Sequence, residues 1–179
     1  MKVRQTGFTL VELMITVFVV AVLASLAAPG MRTFLVRRAV DEAADTFVSD
    51  MRSARSEAIK RSTRVVMCAS SNGTSCFGAG ALWKDGWIVY VPTAANGNFT
   101  AGDEIVRVQD AFPSIASIAD IDGTSRFRFI FEATGSGKSS SQTFVVTPAG
   151  SVPEGFTRLI CVSNNGRAAI RARGVATCT

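Results

Sequence analysis

The feature that most constrains this chain is an apolar run, residues 8–28, interrupted by one charged side chain, Glu12. As an α-helix rising about 1.5 Å per residue, this run is roughly 30 Å long, the thickness of a bilayer's hydrocarbon core. A carboxylate at the membrane centre costs about 2.5–3.5 kcal/mol, so it requires a partner. The sequence therefore predicts a membrane helix in which Glu12 has a function.

The residues around Glu12 form a specific pattern. A basic leader ends in Gly7-Phe8, and residues 9–12 read Thr-Leu-Val-Glu. This arrangement resembles the type IV prepilin signal. The resemblance implies a leader peptide of residues 1–7, cleavage between Gly7 and Phe8 by prepilin peptidase, and N-methylation of Phe8. It also implies that Glu12 pairs with the Phe8 ammonium of a neighbouring filament subunit, which neutralises a buried carboxylate. The alternative is an ordinary signal anchor that tolerates Glu12.

The orientation of the anchor does not follow from charge, because basic residues flank the apolar run on both sides. These are Lys2 and Arg4 before it, and Arg32, Arg37 and Arg38 after it. The prepilin leader implies a cytoplasmic N-terminus. Four cysteines without any histidine suit a disulfide-forming compartment. We therefore expect a single pass through the bacterial inner membrane, with the domain in the periplasm and the subunit later assembled into a pilus or pseudopilus.

The residues after the apolar run change in character. Pro29-Gly30 predicts a kink, because proline removes a helical hydrogen bond. Apolar residues then recur in steps of three or four, the spacing of a helix with one face on a core. They are Val36, Val40, Ala43, Phe47, Met51, Ala54 and Ala58. Intervening charges such as Asp41 and Asp50 are expected on the water-facing side. This amphipathic helix, residues 29–61, should end near Arg61.

The rest of the chain, residues 62–179, has the pattern of a β-rich domain. Strands are predicted over residues 64–70, 86–91, 104–109, 125–131, 142–147, 156–163 and 167–173. Asn165-Gly166 predicts a two-residue hairpin turn. A domain of this size closes a core by laying antiparallel sheet over the apolar face of the helix. The expected fold class is α+β, with one long N-terminal helix packed on antiparallel β-sheet.

The β-rich domain carries a second resemblance. Residues 86–90 read Gly-Trp-Ile-Val-Tyr, and an Asn/Gly-rich loop leads to Asp-Glu-Ile-Val-Arg at 103–107. Phe-Glu-Ala-Thr-Gly at 131–135 and the closing Gly166-Arg167 with Cys178 complete a pattern that resembles GspH/FimT-type minor pilins and pseudopilins. The resemblance implies a pilin-like fold and a subunit that primes, caps or inserts in a type IV pilus or a type II secretion pseudopilus. Its implied partners are other pilin or pseudopilin subunits.

The four cysteines allow three pairings. Pairing between neighbours in sequence is the simplest, and it joins Cys68 to Cys76 and Cys161 to Cys178. The second bond closes the longer loop and adds about 3 kcal/mol in the chain-entropy description. Free thiols and a metal site are the alternatives, although the Cys-x-x-Cys spacing typical of zinc and redox sites is absent.

The sequence offers little for catalysis or cofactors. Histidine is absent, and no serine or cysteine lies in a nucleophile motif. Asn96, Asn98 and Asp103 supply oxygen atoms, but their spacing differs from that of a calcium loop. Residues 136–139, Ser-Gly-Lys-Ser, lack the glycine spacing of a phosphate-binding loop. We therefore expect no enzyme activity, no catalytic residue, no metal and no cofactor.

The basic C-terminal segment supports an alternative function. A strand over 167–173 would place Arg167, Arg171 and Arg173 on one face. Some FimT-type proteins bind DNA for natural transformation through a C-terminal Gly-Arg-x-Arg motif. Arg167 matches that motif, Ala169 stands where its second arginine is expected, and Arg171 and Arg173 are the substitutes. Two interpretations remain, a solvated strand face and a contact with double-stranded DNA.

Overall fold

The structure is a computed structural model that describes residues 7–78, 82–121, 126–138, 141–150, 155–175 and 177–178. The leader residues 1–6 and residue 125 of a predicted strand lie outside that part. The chain divides into two units, Met1–Leu35 and Val36–Thr179. One helix, α1, Leu10–Arg61, runs through both.

Helix α1 begins directly after Thr9. The Thr9 hydroxyl accepts a hydrogen bond from the Glu12 N–H at 3.2 Å. Threonine at the N-cap followed by glutamate three residues later is the pattern of a capping box. Within the described residues, no single helix has both the length and the apolar composition of a membrane span. The segments Leu10–Leu26 and Gly30–Arg61 meet the two criteria only together, as a pair with a bend between them.

The second part of α1 buries the face that the apolar spacing predicts. Val40, Ala43, Phe47, Met51, Ala54 and Ala58 are all fully buried. The helix ends at Arg61, as expected, because Ser62 adopts a positive φ of 51°. The Ser62 N–H then bonds to the Ile59 carbonyl, and the Thr63 N–H to the Ala58 carbonyl. This is a Schellman cap with serine in the position that glycine usually occupies.

Two antiparallel four-stranded sheets pack on this face of α1. Sheet A has the order β3-β2-β1-β5 and sheet B the order β4-β6-β7-β8. The strands are β1 Val65–Ala69, β2 Trp87–Val91, β3 Glu104–Gln109, β4 Ile115–Asp120, β5 Arg128–Phe131, β6 Gln142–Pro148, β7 Arg158–Val162 and β8 Ala168–Ile170. A 3₁₀ turn, Trp83–Asp85, precedes β2.

Phe47 lies at the centre of the core. Its ring contacts Trp83, Trp87 and Phe144 at centroid distances of 5.2, 5.3 and 5.5 Å. Trp87 belongs to sheet A and Phe144 to sheet B, so one helical side chain joins both sheets. Such aromatic pairs add about 0.5–1.5 kcal/mol each beyond the burial of their area. The α+β class, with a long helix on antiparallel sheet, is confirmed.

The structure differs from the strand predictions in β4, in the last strand and in the hairpin before it. Strand β4 was not among the predicted strands, and it forms the edge of sheet B. The last predicted strand, 167–173, is reduced to Ala168–Ile170. The hairpin before it has a three-residue loop, because Ser163 pairs with Arg167 and only Gly166 has a positive φ, 69°. A type I turn followed by a left-handed glycine matches that geometry, whereas a two-residue turn at Asn165-Gly166 would need two residues at positive φ.

Candidate functional site

The first candidate site is the start of α1. Phe8 is 83% exposed, and the apolar side chains that follow, such as Leu10 and Phe18, are exposed as well. Glu12 lies in the first helical turn, where unpaired N–H groups favour a negative charge. Its carboxylate forms no hydrogen bond or ion pair with any other described residue. The site is therefore an apolar surface with one unneutralised acid, and both suit contact with another molecule.

The cysteines form two bonds, Cys68–Cys76 and Cys161–Cys178, each with a Cα–Cα distance of 5.7 Å. Cys68 is buried in β1 and joins this strand to the loop that follows it. In that loop, the Asn72 side-chain oxygen accepts hydrogen bonds from the Thr74 and Ser75 N–H groups. Cys161 lies on β7 and joins that strand to the C-terminal segment. Both bonds are therefore structural elements of the domain.

The structure separates the three C-terminal arginines. Arg167 precedes β8 and Arg171 follows it, and the two line one groove of about 500 Å³ on sheet B together with Thr143, Asn165 and other residues. None of the three arginines lies within β8, and Arg173 does not line this groove. The one-face prediction is therefore wrong for Arg173.

Arg173 instead takes part in an ion-pair cluster with α1. Its Nη2 lies 2.6 Å from Asp41 Oδ2, and Arg158 Nε lies 2.7 Å from Asp41 Oδ1. Burial raises the pKa of Asp41, but the hydrogen bonds and positive charges of Arg158 and Arg173 outweigh it and leave the pKa below its ordinary value. The cluster attaches the C-terminal segment and β7 to the helix.

The Asn/Gly-rich loop is organised by Asp103. Its carboxylate accepts hydrogen bonds from the N–H and hydroxyl groups of both Thr93 and Thr100, at 2.7–2.8 Å. Burial raises the pKa of Asp103, and these hydrogen bonds more than offset that effect, so the pKa is lowered. Asn98 contacts Arg128 rather than Asp103. Asp103 and Asn98, which could have supplied oxygen ligands, thus accept hydrogen bonds within the protein.

Residues 136–138 do not form a phosphate-binding loop. Gly137 forms a bridge with Phe131, and the Lys138 N–H donates to the Ile130 carbonyl. The segment therefore continues the edge of sheet A beside β5. Residue 139 of the motif lies outside the described residues.

Sequence reasoning placed one important residue wrongly. Asp50 was expected on the water-facing side of α1, but it is fully buried. Its carboxylate accepts a hydrogen bond from Trp87 Nε1 at 2.9 Å and lies 2.7 Å from Arg107 Nε. The helical spacing contained the signal, since Asp50 lies three residues after Phe47 and four before Ala54. Asp50 connects the helix to β2 and β3.

Comparison with known proteins agrees with this architecture. Residues 43–166 match the family model described as Type II transport protein GspH, and residues 2–28 match the prokaryotic N-terminal methylation motif. The crystal structure of the type IV minor pilin FimU of Pseudomonas aeruginosa superposes with a TM-score of 0.58 at 18% identity, over 78% of this chain and 92% of that one. The minor pseudopilin EpsH from the Type 2 Secretion System of Vibrio cholerae gives a TM-score of 0.51 at 12% identity, over 74% and 96%.

Proposed function

This chain belongs to the GspH family, and from that premise we propose that it is a minor pilin or pseudopilin that primes, caps or inserts in a type IV pilus or type II secretion pseudopilus. The observation that carries the proposal is the start of α1, where exposed apolar side chains surround one unpaired acid. The same helix forms the core of the folded domain. A subunit built in this way exposes the first part of its helix for packing against other subunits.

The proposal includes two further partners of the N-terminal segment, prepilin peptidase and the inner membrane. Prepilin peptidase cleaves between Gly7 and Phe8, and the new Phe8 amine is methylated. Residues 8–28 hold the subunit in the inner membrane, with the N-terminus cytoplasmic and the domain periplasmic, until it enters the filament. There, Glu12 pairs with the Phe8 ammonium of the adjacent subunit. The matched methylation motif over residues 2–28 supports this sequence of events.

The test is the incorporation of the Glu12→Val protein into filaments. Cells that make the filament are fractionated, and the subunit is quantified by mass spectrometry in the membrane and in purified filaments. The apolar helix should still insert, whereas incorporation should fall at least about tenfold, because leaving one buried charge unpaired costs 3–5 kcal/mol. Glu42→Val, an exposed acid later on the same helix, is the control. Equal incorporation of both variants would contradict the pairing, and absence of the parent from filaments would contradict the function.

Contact of Arg167 and Arg171 with double-stranded DNA is a second candidate. One observation favours it, namely that both side chains line the same groove. Neither the family nor the similar structures support this alternative. Two phosphate contacts predict a slope of about −2 for log affinity against log salt concentration. The Arg167→Ala variant loses one contact, so its slope should be less steep, about −1. A gel-shift with full-length protein in detergent measures this, and absence of binding at low salt excludes the candidate.

A further inference from the structure

A second groove, which shares Arg167 with the first, lies between α1 and the β8 hairpin. It has a volume of about 440 Å³. Its helical side consists of Arg52, Arg55, Ser56 and Ile59, and its other side of Gly166, Arg167, Ala168 and Ala169. Ile59 and Ala169 supply apolar surface, since Ile59 is half exposed and Ala169 is exposed, whereas Ala168 is buried. The groove therefore combines an apolar lining with three guanidinium groups.

The arginines of this groove are positioned but not neutralised. Arg52 donates from Nε and Nη2 to the Ala168 carbonyl at 3.3 and 3.1 Å, and Arg55 donates from Nε to the Gly135 carbonyl at 2.7 Å. These acceptors are neutral backbone groups. Within the described part of the chain, Arg52, Arg55 and Arg167 form no ion pair with a carboxylate. Three positive charges thus remain available at one site.

Glu57, two residues after Arg55 on the helix, forms no ion pair with these arginines. Glu57 is paired with Lys60 and Arg61 instead. Because Arg55 is held through Nε, its two Nη groups remain for a ligand, and a guanidinium fixed in this way offers the planar donor pair that carboxylates and phosphates accept. Arg167, which is exposed, supplies a second cation at the same groove.

We infer that this groove binds an acidic, partly apolar peptide segment of a neighbouring pilin-type subunit. The inference rests on the proposed filament function and adds a specific contact within the folded domain. Charge complementarity requires an anionic occupant. The apolar surface of Ile59 and Ala169 favours a peptide over nucleic acid, because a phosphodiester chain has no apolar side chains to place there.

The test uses photo-crosslinking of the full-length protein in cells that assemble the filament. A photoreactive phenylalanine analogue replaces Ser56, which lines the groove, and in a control it replaces Ser53, an exposed serine on the same helix that does not line it. The expected result is a crosslink from position 56, and not from 53, to a carboxylate-containing segment of another pilin-type subunit, identified by peptide mass spectrometry. A crosslink to nucleic acid, to lipid, or to a protein outside the filament overturns the inference, and so does equal capture from both positions.

Charge reversal then tests the role of the arginines. Arg167→Glu and Arg55→Glu should each lower the yield of the position-56 crosslink at least about tenfold, since each replaces a charge-assisted contact with repulsion between like charges. Lys60→Glu reverses a charge on the same helix outside the groove and should leave the yield unchanged. Arg167 makes no side-chain hydrogen bond within the described chain, so its variant should keep the fold even where Arg55→Glu does not. Unchanged capture by Arg167→Glu overturns the inference.

Filament incorporation of the parent is measured in the same samples. If the parent is present in filaments but position 56 captures no acidic segment, this inference is wrong and the proposed function stands. If the parent never enters filaments, both are wrong. Replacing the captured acid of the partner with lysine should restore the crosslink to Arg167→Glu, and failure of that restoration would show that the two charges do not meet.

Discussion

Asp50 shows how much of this domain depends on single polar residues. Its side chain is fully buried, and it accepts a hydrogen bond from Trp87 while facing the half-exposed guanidinium of Arg107. A buried ion pair contributes little compared with apolar residues of the same shape, but removal of one partner leaves the other uncompensated. Asp50 therefore fixes the position of α1 on sheet A, and its net contribution to stability is smaller than that of an apolar side chain of the same shape.

We predict that Asp50→Ala lowers the free energy of unfolding by about 1–3 kcal/mol, because the buried Trp87 Nε1 loses its hydrogen-bond acceptor, whereas the half-exposed Arg107 stays solvated. Urea denaturation of the full-length protein in detergent, followed by tryptophan fluorescence, measures the change. Asp45→Ala removes an exposed acid from the same helix and should stay within about 0.5 kcal/mol of the parent. Similar midpoints for the two variants would show that the buried pair does not support the fold.

At the scale of elements, local pattern predicted the helix and most strands. The buried face of α1 and its end at Arg61 follow from apolar spacing and from the β-branched residues beyond. Strand β4 escaped prediction because its buried isoleucines, Ile115 and Ile118, are three residues apart. A register irregularity between Ile115 and Ser117 breaks the alternation expected of a strand. The pairing of Arg173 with Asp41 was equally hidden, since it joins residues far apart in sequence.

The cluster of Asp41 with Arg158 and Arg173 should make the domain sensitive to acid. In the folded protein the pKa of Asp41 is below its ordinary value of 3.8. The ionised Asp41 therefore stabilises the fold above pH 3.8, and this contribution is lost as the pH falls through the lower pKa of the folded state. We expect the urea midpoint to fall less between about pH 6 and about pH 3 in Asp41→Asn than in the parent. Parallel pH profiles would contradict this role of Asp41.

The Cys161–Cys178 bond should protect the C-terminal segment. It closes a separation of 17 residues, for which the chain-entropy description gives about 3 kcal/mol. Replacing both cysteines with alanine should accelerate tryptic cleavage after Arg171 and Arg173, observed by mass spectrometry of native digests. The double alanine variant of Cys68 and Cys76 loses a bond in sheet A and is the control. Equal cleavage rates at Arg171 in both variants would mean that the bond does not hold this segment.

For the whole molecule, the decisive prediction concerns the N-terminus. Intact mass of the membrane-bound protein should correspond to a chain that begins at Phe8 and carries one added methyl group. Gly7→Val should retain residues 1–7, because a branched side chain at the cleavage position hinders the peptidase, while Gly30→Val should still be processed. A mature protein cut after residue 28, or one that keeps its leader, would instead match the ordinary signal or signal-anchor alternative.

The ion pair of Arg173 with Asp41 also has a consequence for the order of folding. It joins residues separated by 132 positions, and β8 with the second disulfide likewise comes from the end of the chain. Closing such long loops is slow, and it requires Arg173 and Cys178 to have been synthesised. Until then, the buried face around Phe47 lacks part of its cover and is open to aggregation or proteolysis. A chain that ends before Arg173 would therefore lack both the ion pair with Asp41 and the Cys161–Cys178 bond, and we expect its helix α1 to be more accessible to protease.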